Sequence, residues 1–344
     1  MRADIVLDCV AIVGASGAVG RELLAVLEQR RFPLRSLRLL ASPRSAGRTV
    51  QFFDRACTIE TLRGDSLRGV QLALFSAGAA VSREFAPAAA RSGTVVVDNS
   101  SAFRADPNVP LVVPEVNAGE LQRHAGIIAN PNCSTIILAV PLWPLHRRYG
   151  VRRVVVCTYQ AASGAGARAM DELVSQTRTV LSGGEARPEI FSEPCAFNVF
   201  SHNSAVGADG LNVEERKMIS ETRRIFGNDS IAIAPTCMRV PVLRAHTEAV
   251  SVEFREPVEL EEVRRILAEA PGVRLVDDPG ENRFPTPLRA SGGDEILVGR
   301  LRLDPSVADG RGLQFICAGD QLRKGAALNA VQIAERLFPA AARP

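Results

Sequence analysis

Up to Asn130, short apolar runs alternate with stretches of helical spacing. Residues 10–13 form an apolar, β-branched run closed by Gly14, after which Leu23, Leu24 and Leu27 recur on one helical face. Residues 37–41, 70–76, 94–98 and 126–129 predict further strands, with an Ala-rich helix over 81–91. Strand–helix alternation of this kind predicts an α/β domain with a parallel sheet covered on both faces.

After Asn130 the pattern changes. Residues 135–145 are apolar on every side and predict a buried helix. Residues 151–159 predict a strand, and 164–180 open on glycines and continue as a helix. The stretch 182–210 is loop-rich. Residues 212–225 predict an amphipathic helix, with Asn212 at the N-cap and Glu215 three residues on, a capping box. Strands over 231–235, 247–253, 295–302 and 312–318, one helix over 260–270 and a last helix over 324–337 complete the chain. They predict a second, α+β domain with an antiparallel or mixed sheet.

Composition narrows the function classes. Among 344 residues, 46% are apolar and 23% charged, ordinary values for a chain that folds. With 41 basic and 38 acidic side chains the net charge is only +3, which argues against a nucleic-acid or anionic-membrane partner held by bulk charge. No apolar stretch reaches ~18 residues, so no membrane span is expected. Residues Met1 to Ile5, with an early acid, do not read as a secretion signal. Seven cysteines without a C-x-x-C pair predict neither a disulfide framework nor a zinc or other metal site, and place the chain in a reducing cytoplasm. Only Lys217 and Lys324 are lysines among the 41 basic residues, so each lysine points weakly to a place that needs a compact ammonium.

Two stretches carry chemistry. Gly14-Ala15-Ser16-Gly17-Ala18-Val19-Gly20 joins the first strand to the first helix, where backbone N–H groups of Ser16, Gly17, Ala18 and Val19 can approach a pyrophosphate. A tight turn with no ligand has the same composition. The end of the second strand, Ala41-Ser42-Pro43-Arg44-Ser45, lacks the acid that an NAD ribose needs. It offers Arg44 between two hydroxyls, which suits the 2′-phosphate of NADP(H). The second stretch is Asn130-Pro131-Asn132-Cys133-Ser134-Thr135, which opens the buried apolar helix. A thiol in a first helical turn feels unpaired N–H groups and the positive dipole end, so Cys133 is expected to ionise easily. Cys157, Cys237 and Cys317 lie in apolar strand-like runs and read as inert and buried. A thiol beside a nicotinamide cofactor implies aldehyde oxidation through a thioester.

These segments, with Asp98-Asn99-Ser100-Ser101-Ala102-Phe103-Arg104, Tyr159-Gln160-Ala161-Ala162-Ser163-Gly164, Arg239-Val240-Pro241, His246 and Leu322-Arg323-Lys324-Gly325, resemble the aspartate-β-semialdehyde dehydrogenase family from about residue 9 to 338. The resemblance implies a domain over 1–131 that binds NADP and is completed by a helix over 322–340. It implies a catalytic and dimerisation domain over 132–321, and a homodimer. It implies reversible, NADPH-dependent reduction of aspartyl phosphate to aspartate semialdehyde, which feeds lysine, threonine, methionine and diaminopimelate synthesis. Cys133 would be the nucleophile, His246 the general acid/base that deprotonates the thiohemiacetal oxygen, and Gln160 a positioning amide. Arg239 would clamp the substrate carboxylate and Glu214 its ammonium. Lys217, Arg104 and Asn132 would hold phosphate. Ser163, Gly164 and Gln321 would border the nicotinamide.

Four places depart from the family pattern: Ala245 for Gly, Gln321 for Asn, Ser201-His202-Asn203 for Pro-His-Ile, and Pro43 in the 2′-phosphate loop. The rival readings are N-acetylglutamyl-phosphate reductase, whose nucleophile follows Gly rather than Asn132, and malonyl-coenzyme-A reductase, which has no ammonium for Glu214. A non-catalytic binding paralogue would be expected to have lost Cys133. Glyceraldehyde-3-phosphate dehydrogenase would need the NAD-selecting acid.

Overall fold

The computed structural model describes residues 6–339, so the reading of Met1 to Ile5 lies outside the described residues, as does the far end of the helix expected over 322–340. Contacts divide the chain into two compact units. One runs to Asn132 and resumes at Ala326; the other is Cys133–Gly325.

The first unit is a seven-stranded sheet. Its elements are β1 (Leu7–Val13), α1 (Ala18–Gln29), β2 (Leu34–Ala41), β3 (Thr49–Phe52), β4 (Arg55–Thr61), β5 (Leu72–Phe75), α2 (Ala79–Arg91), β6 (Val95–Asp98), a short α3 (Pro114–Asn117) and β7 (Ile127–Ala129). The strand order is β3-β4-β2-β1-β5-β6-β7, parallel throughout except for the β3–β4 hairpin. Period-two alternation along β1 explains how both faces are filled. Val10 and Ile12 pack with Leu23 and Leu27 of α1 and with Leu328 and Val331 of the C-terminal helix, Leu328–Leu337. Ala11 and Val13 point the other way, into a core with Ala86 and Ala89 of α2. The C-terminal helix expected as one piece is preceded by a π-helical turn, Arg323–Ala327.

The second unit is a mixed seven-stranded sheet, ordered β12-β13-β14-β11-β8-β10-β9. It is built from α4 (Cys133–Tyr149), β8 (Val151–Gln160), α5 (Ala167–Leu181), β9 (Phe200–Ser201), α6 (Val213–Phe226), β10 (Ala232–Arg239), β11 (His246–Phe254), α7 (Leu260–Glu269), β12 (Val273–Leu275), α8 (Pro287–Ala290), β13 (Ile296–Leu303) and β14 (Gly312–Gly319). Helix α4 is buried along most of its length and packs against the sheet and against α6 and α7. The capping box at α6 is present in full: Asn212 accepts from the Glu215 amide, and the Glu215 carboxylate accepts from the Asn212 amide.

The opposite face of this sheet is uncovered. Along β8, β10 and β11 every second residue is buried, while Val155, Cys157, Tyr159, Thr236, Ala249 and Ser251 are partly or fully exposed. Thr236, Cys157, Ala249 and Ile316 lie side by side across four strands. Cys157 therefore does not share the buried setting of Cys237 and Cys317 that its apolar run predicts; it stands on the open face.

Candidate active site

In the first unit, the turn from β1 to α1 is a cradle only glycine can form. Gly14 has φ of +91°, and a Cβ there would lie 2.7 Å from the Ser76 carbonyl carbon. A Cβ on Gly20 would strike the Gly14 carbonyl oxygen. Gly17 caps α1 without a side chain, so the first-turn amides are left for a ligand. At the end of β2, Ser42 and Arg44 are exposed while Ser45 turns inward. The residues present fit a dinucleotide's phosphates. Arg104 donates from Nε to the Asn130 carbonyl at 2.9 Å and from Nη2 to the Asn99 carbonyl at 2.7 Å. It thereby ties its loop to the segment leading to the buried Asn132.

In the second unit the strand register gathers the remaining candidates. Parallel pairing of β8 with β10 sets Gln160 beside Arg239 at the ends of both strands. Antiparallel β11 starts at that same end, where Thr247 pairs with Tyr159, so His246 stands next to them. Cys133, half-buried, is the first residue of α4. A Cβ on Gly325 would come within 3.0 Å of the Cys133 Cβ, so a glycine there leaves room for the nucleophile.

Gln160 donates to the Ser134 hydroxyl at 3.0 Å and reaches Glu214 Oε1 at 3.4 Å. Glu214 is buried and pairs with Lys217 at 3.0 Å. Burial makes this more than the surface ion pair that three-residue spacing alone implies. Arg239 is fully buried; its Nη1 donates to the Ala161 carbonyl at 2.6 Å, and its Nη2 faces His202 Nε2 at 3.0 Å and Asn203 Oδ1 at 3.3 Å. Its guanidinium carbon lies over the Phe191 ring, and its Nε has no partner among the described residues. Burial weakens the Arg239 charge, while Cys133 and Glu214 support it electrostatically.

His246 has no exposed surface. Its Nδ1 accepts from the Ala161 amide at 3.0 Å, and its Nε2 has no partner among the described residues. Burial first, and then the Arg239 charge, push its pKa down to about 3, with Glu214 acting the other way. A Cβ on Gly164 would lie 3.0–3.1 Å from the His246 ring, so glycine keeps the space before Nε2 open. Gln321 accepts from the Ala245 amide at 2.8 Å and donates to the Ser163 hydroxyl, which leaves one amide hydrogen for a ligand. Ala245 holds φ at +71°, a conformation that favours glycine, and Gln321 pins it there.

The chosen residues of the second unit thus cluster at one end of its sheet: Cys133, Gln160, Ser163, Gly164, Glu214, Lys217, Arg239, His246 and Gln321. Sequence reasoning set His202 near the site without a role and gave none to Asn203, Ser134 or Gly325. The first two lie in the loop that departs from the family pattern. His202 faces Arg239 with its Nε2 and the Ser204 amide and hydroxyl with its Nδ1, at 3.2 and 3.1 Å, and burial pushes its pKa down to about 4. No helix among the described residues is long and apolar enough to cross a membrane.

Comparison with known proteins covers both units. A model of the NAD binding domain of semialdehyde dehydrogenases matches residues 9–124, and one of their dimerisation domain matches 142–324. The chain is 52% identical over 328 residues to an aspartate-semialdehyde dehydrogenase of Synechocystis sp., covering 95% of this chain and 96% of that one. It is 46% identical over 336 residues to that of Bacillus subtilis, covering 95% and 96%. A crystal structure of aspartate semialdehyde dehydrogenase II from Vibrio cholerae, complexed with ASA, superposes with a TM-score of 0.93 at 44% identity, covering 98% of both chains. The first unit is thus a nucleotide-cofactor-binding domain, nothing favours the rival reductases, and the chain belongs to the aspartate-semialdehyde dehydrogenase family.

Proposed function

We propose that this chain reversibly converts L-aspartyl 4-phosphate to L-aspartate 4-semialdehyde, with NADPH as reductant and an acyl-thioester on Cys133 as intermediate. The observation that carries this reading is the gathering of Gln160, Arg239 and His246 at one end of the second unit's sheet, with Cys133 opening α4 beside Gly325. The Cys133 thiolate attacks the acyl carbon and phosphate leaves. The nicotinamide, when bound, supplies hydride to that carbon. His246 stands at the reacting oxygen. Arg239 offers its unpartnered Nε–H to the α-carboxylate, and Glu214 balances the α-ammonium. Lys217, Arg104 and Asn132 are assigned to phosphate, and Ser163, Gly164 and Gln321 to the nicotinamide edge. The direct test is NADP⁺ reduction with aspartate semialdehyde, dependent on phosphate, with N-acetylglutamate semialdehyde beside it. Turnover of the acetylated substrate alone would overturn the assignment.

The cofactor preference rests on Arg44, exposed beside Ser42 with no acid at the end of β2. Arg44→Ala should weaken NADPH binding about 10- to 100-fold, as loss of a charged hydrogen-bond pair implies, and leave NADH binding within about twofold. Fluorescence titration with both nucleotides decides it, and equal loss for both would remove the 2′-phosphate from this loop.

The uncovered face of the second sheet is the surface we assign to a homodimer, in keeping with the dimerisation-domain match. Ala249 sits mid-row between Cys157 and Ile316. Ala249→Arg should yield monomers in analytical ultracentrifugation, because a guanidinium there would be desolvated without a partner. A dimer of unchanged affinity would place the interface elsewhere.

A further inference from the structure

Three asparagine side chains in the first unit form a directed chain of hydrogen bonds. Asn329, the second residue of the C-terminal helix, donates from Nδ2 to the Val112 carbonyl at 3.0 Å and to Asn130 Oδ1 at 2.6 Å. Asn130 donates in turn from its Nδ2 to Asn99 Oδ1 at 2.8 Å and to the Ala326 carbonyl at 3.3 Å. Asn99 donates to the Phe75 carbonyl at 2.9 Å. Each amide is anchored on a backbone carbonyl, which can only accept, so none of the three can turn over without losing a bond. Asn130 and Asn329 are fully buried, where an unpaired amide is costly and the chain holds as a unit.

Two members of this chain also carry Arg104. Its Nε donates to the Asn130 carbonyl and its Nη2 to the Asn99 carbonyl, at 2.9 and 2.7 Å. The parallel ladder between β6 and β7 ends at the pair Asp98 and Ala129, so both carbonyls belong to the residues just beyond it. There the Asn130–Asn99 side-chain bond continues the pairing and fixes the spacing of the two carbonyls, and with it the plane of the guanidinium. Arg104 itself is half-buried, so a ligand can reach it.

We propose that Asn329, acting through Asn130 and Asn99, is a positioning residue for Arg104 and so sets how the phosphate is held. This rests on the reading above that Arg104 binds phosphate. Removing the Asn329 amide takes that donor from Asn130 Oδ1 and frees the Asn130 amide to turn. Its bond to Asn99 weakens, and the carbonyls under Arg104 lose their common spacing. A guanidinium grips phosphate by direction as well as by charge, so a tilted fork binds it less well.

The test is steady-state kinetics of aspartate semialdehyde oxidation, with inorganic phosphate varied, on the natural chain, Asn329→Ala, Arg104→Ala and the double variant. Asn329→Ala should raise the KM for phosphate about 10-fold and leave kcat and the KM values for aldehyde and NADP⁺ within about twofold. Partial unfolding alone would lower kcat through the active fraction and leave the phosphate KM in place. In the Arg104→Ala background, Asn329→Ala should change the phosphate KM by less than about twofold, because the group through which it acts is gone. The same rise in both backgrounds overturns the inference. So does an unmoved phosphate KM in Asn329→Ala when Arg104→Ala raises it. An Arg104→Ala variant with unchanged phosphate KM removes the phosphate reading of Arg104, and the inference with it. If Asn329→Ala does not fold, Asn99→Ala breaks the same chain at its more exposed end, keeps the backbone carbonyl and is held to the same outcomes.

Discussion

Cys133→Ala should lower kcat by at least about 10⁴-fold and change NADPH affinity by no more than a few-fold. The size follows from the role: without the sulfur there is no covalent intermediate, and phosphate would have to leave directly to hydride. The selectivity follows from the fold. Cys133 begins α4 in the second unit, whereas the Gly14–Gly20 turn and Arg44 belong to the first. Alanine keeps the Cβ against which Gly325 is packed and the helix start that follows Asn132, so the local backbone has no reason to move. Steady-state kinetics with a fluorescence titration of NADPH checks both halves. Residual turnover within tenfold of the natural chain would remove the thioester, and a matching loss of nucleotide affinity would make Cys133 a structural residue.

The sequence was most legible where one local rule acts. The β1–α1 glycine turn follows from backbone sterics, the α6 capping box from two side chains three apart, and the helix start at Cys133 from the polar segment before an apolar run. It was less legible where partners are distant. The β3–β4 hairpin went unread because its strands are exposed on most positions, so no clean alternation marks them. Strand β10 was read as ending at Pro235, yet it continues to Arg239. Only Met238 and Arg239 are covered by β9, so Pro235 lies on a stretch of edge where its missing N–H costs nothing. Within the site, Arg239 and His246 carry motif signals, but the contact of His202 with Arg239 joins residues 37 apart. The buried Glu214 and the unpartnered Nε2 of His246 are properties of packing, which spacing along the chain does not encode.

Arg239→Lys tests that packing, and kcat/KM for aspartate semialdehyde should fall about 10²- to 10³-fold, most of it in KM. The guanidinium is held from three sides: Nη1 by the Ala161 carbonyl, Nη2 by His202 and Asn203, and its face by Phe191. None of these partners is an anion, and burial lowers the pKa of the group. A cation kept in such a place is poised for a ligand carboxylate, and the planar fork fixes the direction in which its Nε–H points. Lysine keeps the charge and loses the fork, so the deficit measures geometry rather than net charge. That range corresponds to about 3–4 kcal/mol, a lost charged hydrogen bond together with the penalty of leaving a buried carboxylate poorly paired. The control is 3-aminopropanal, which lacks the α-carboxylate. If Arg239 binds that group, the natural chain already handles this aldehyde poorly, and Arg239→Lys should change it by less than about threefold. An equal loss on both substrates would mean that Arg239 shapes the site around Ala161 and His246 instead of gripping the carboxylate, and the α-carboxylate would need another partner.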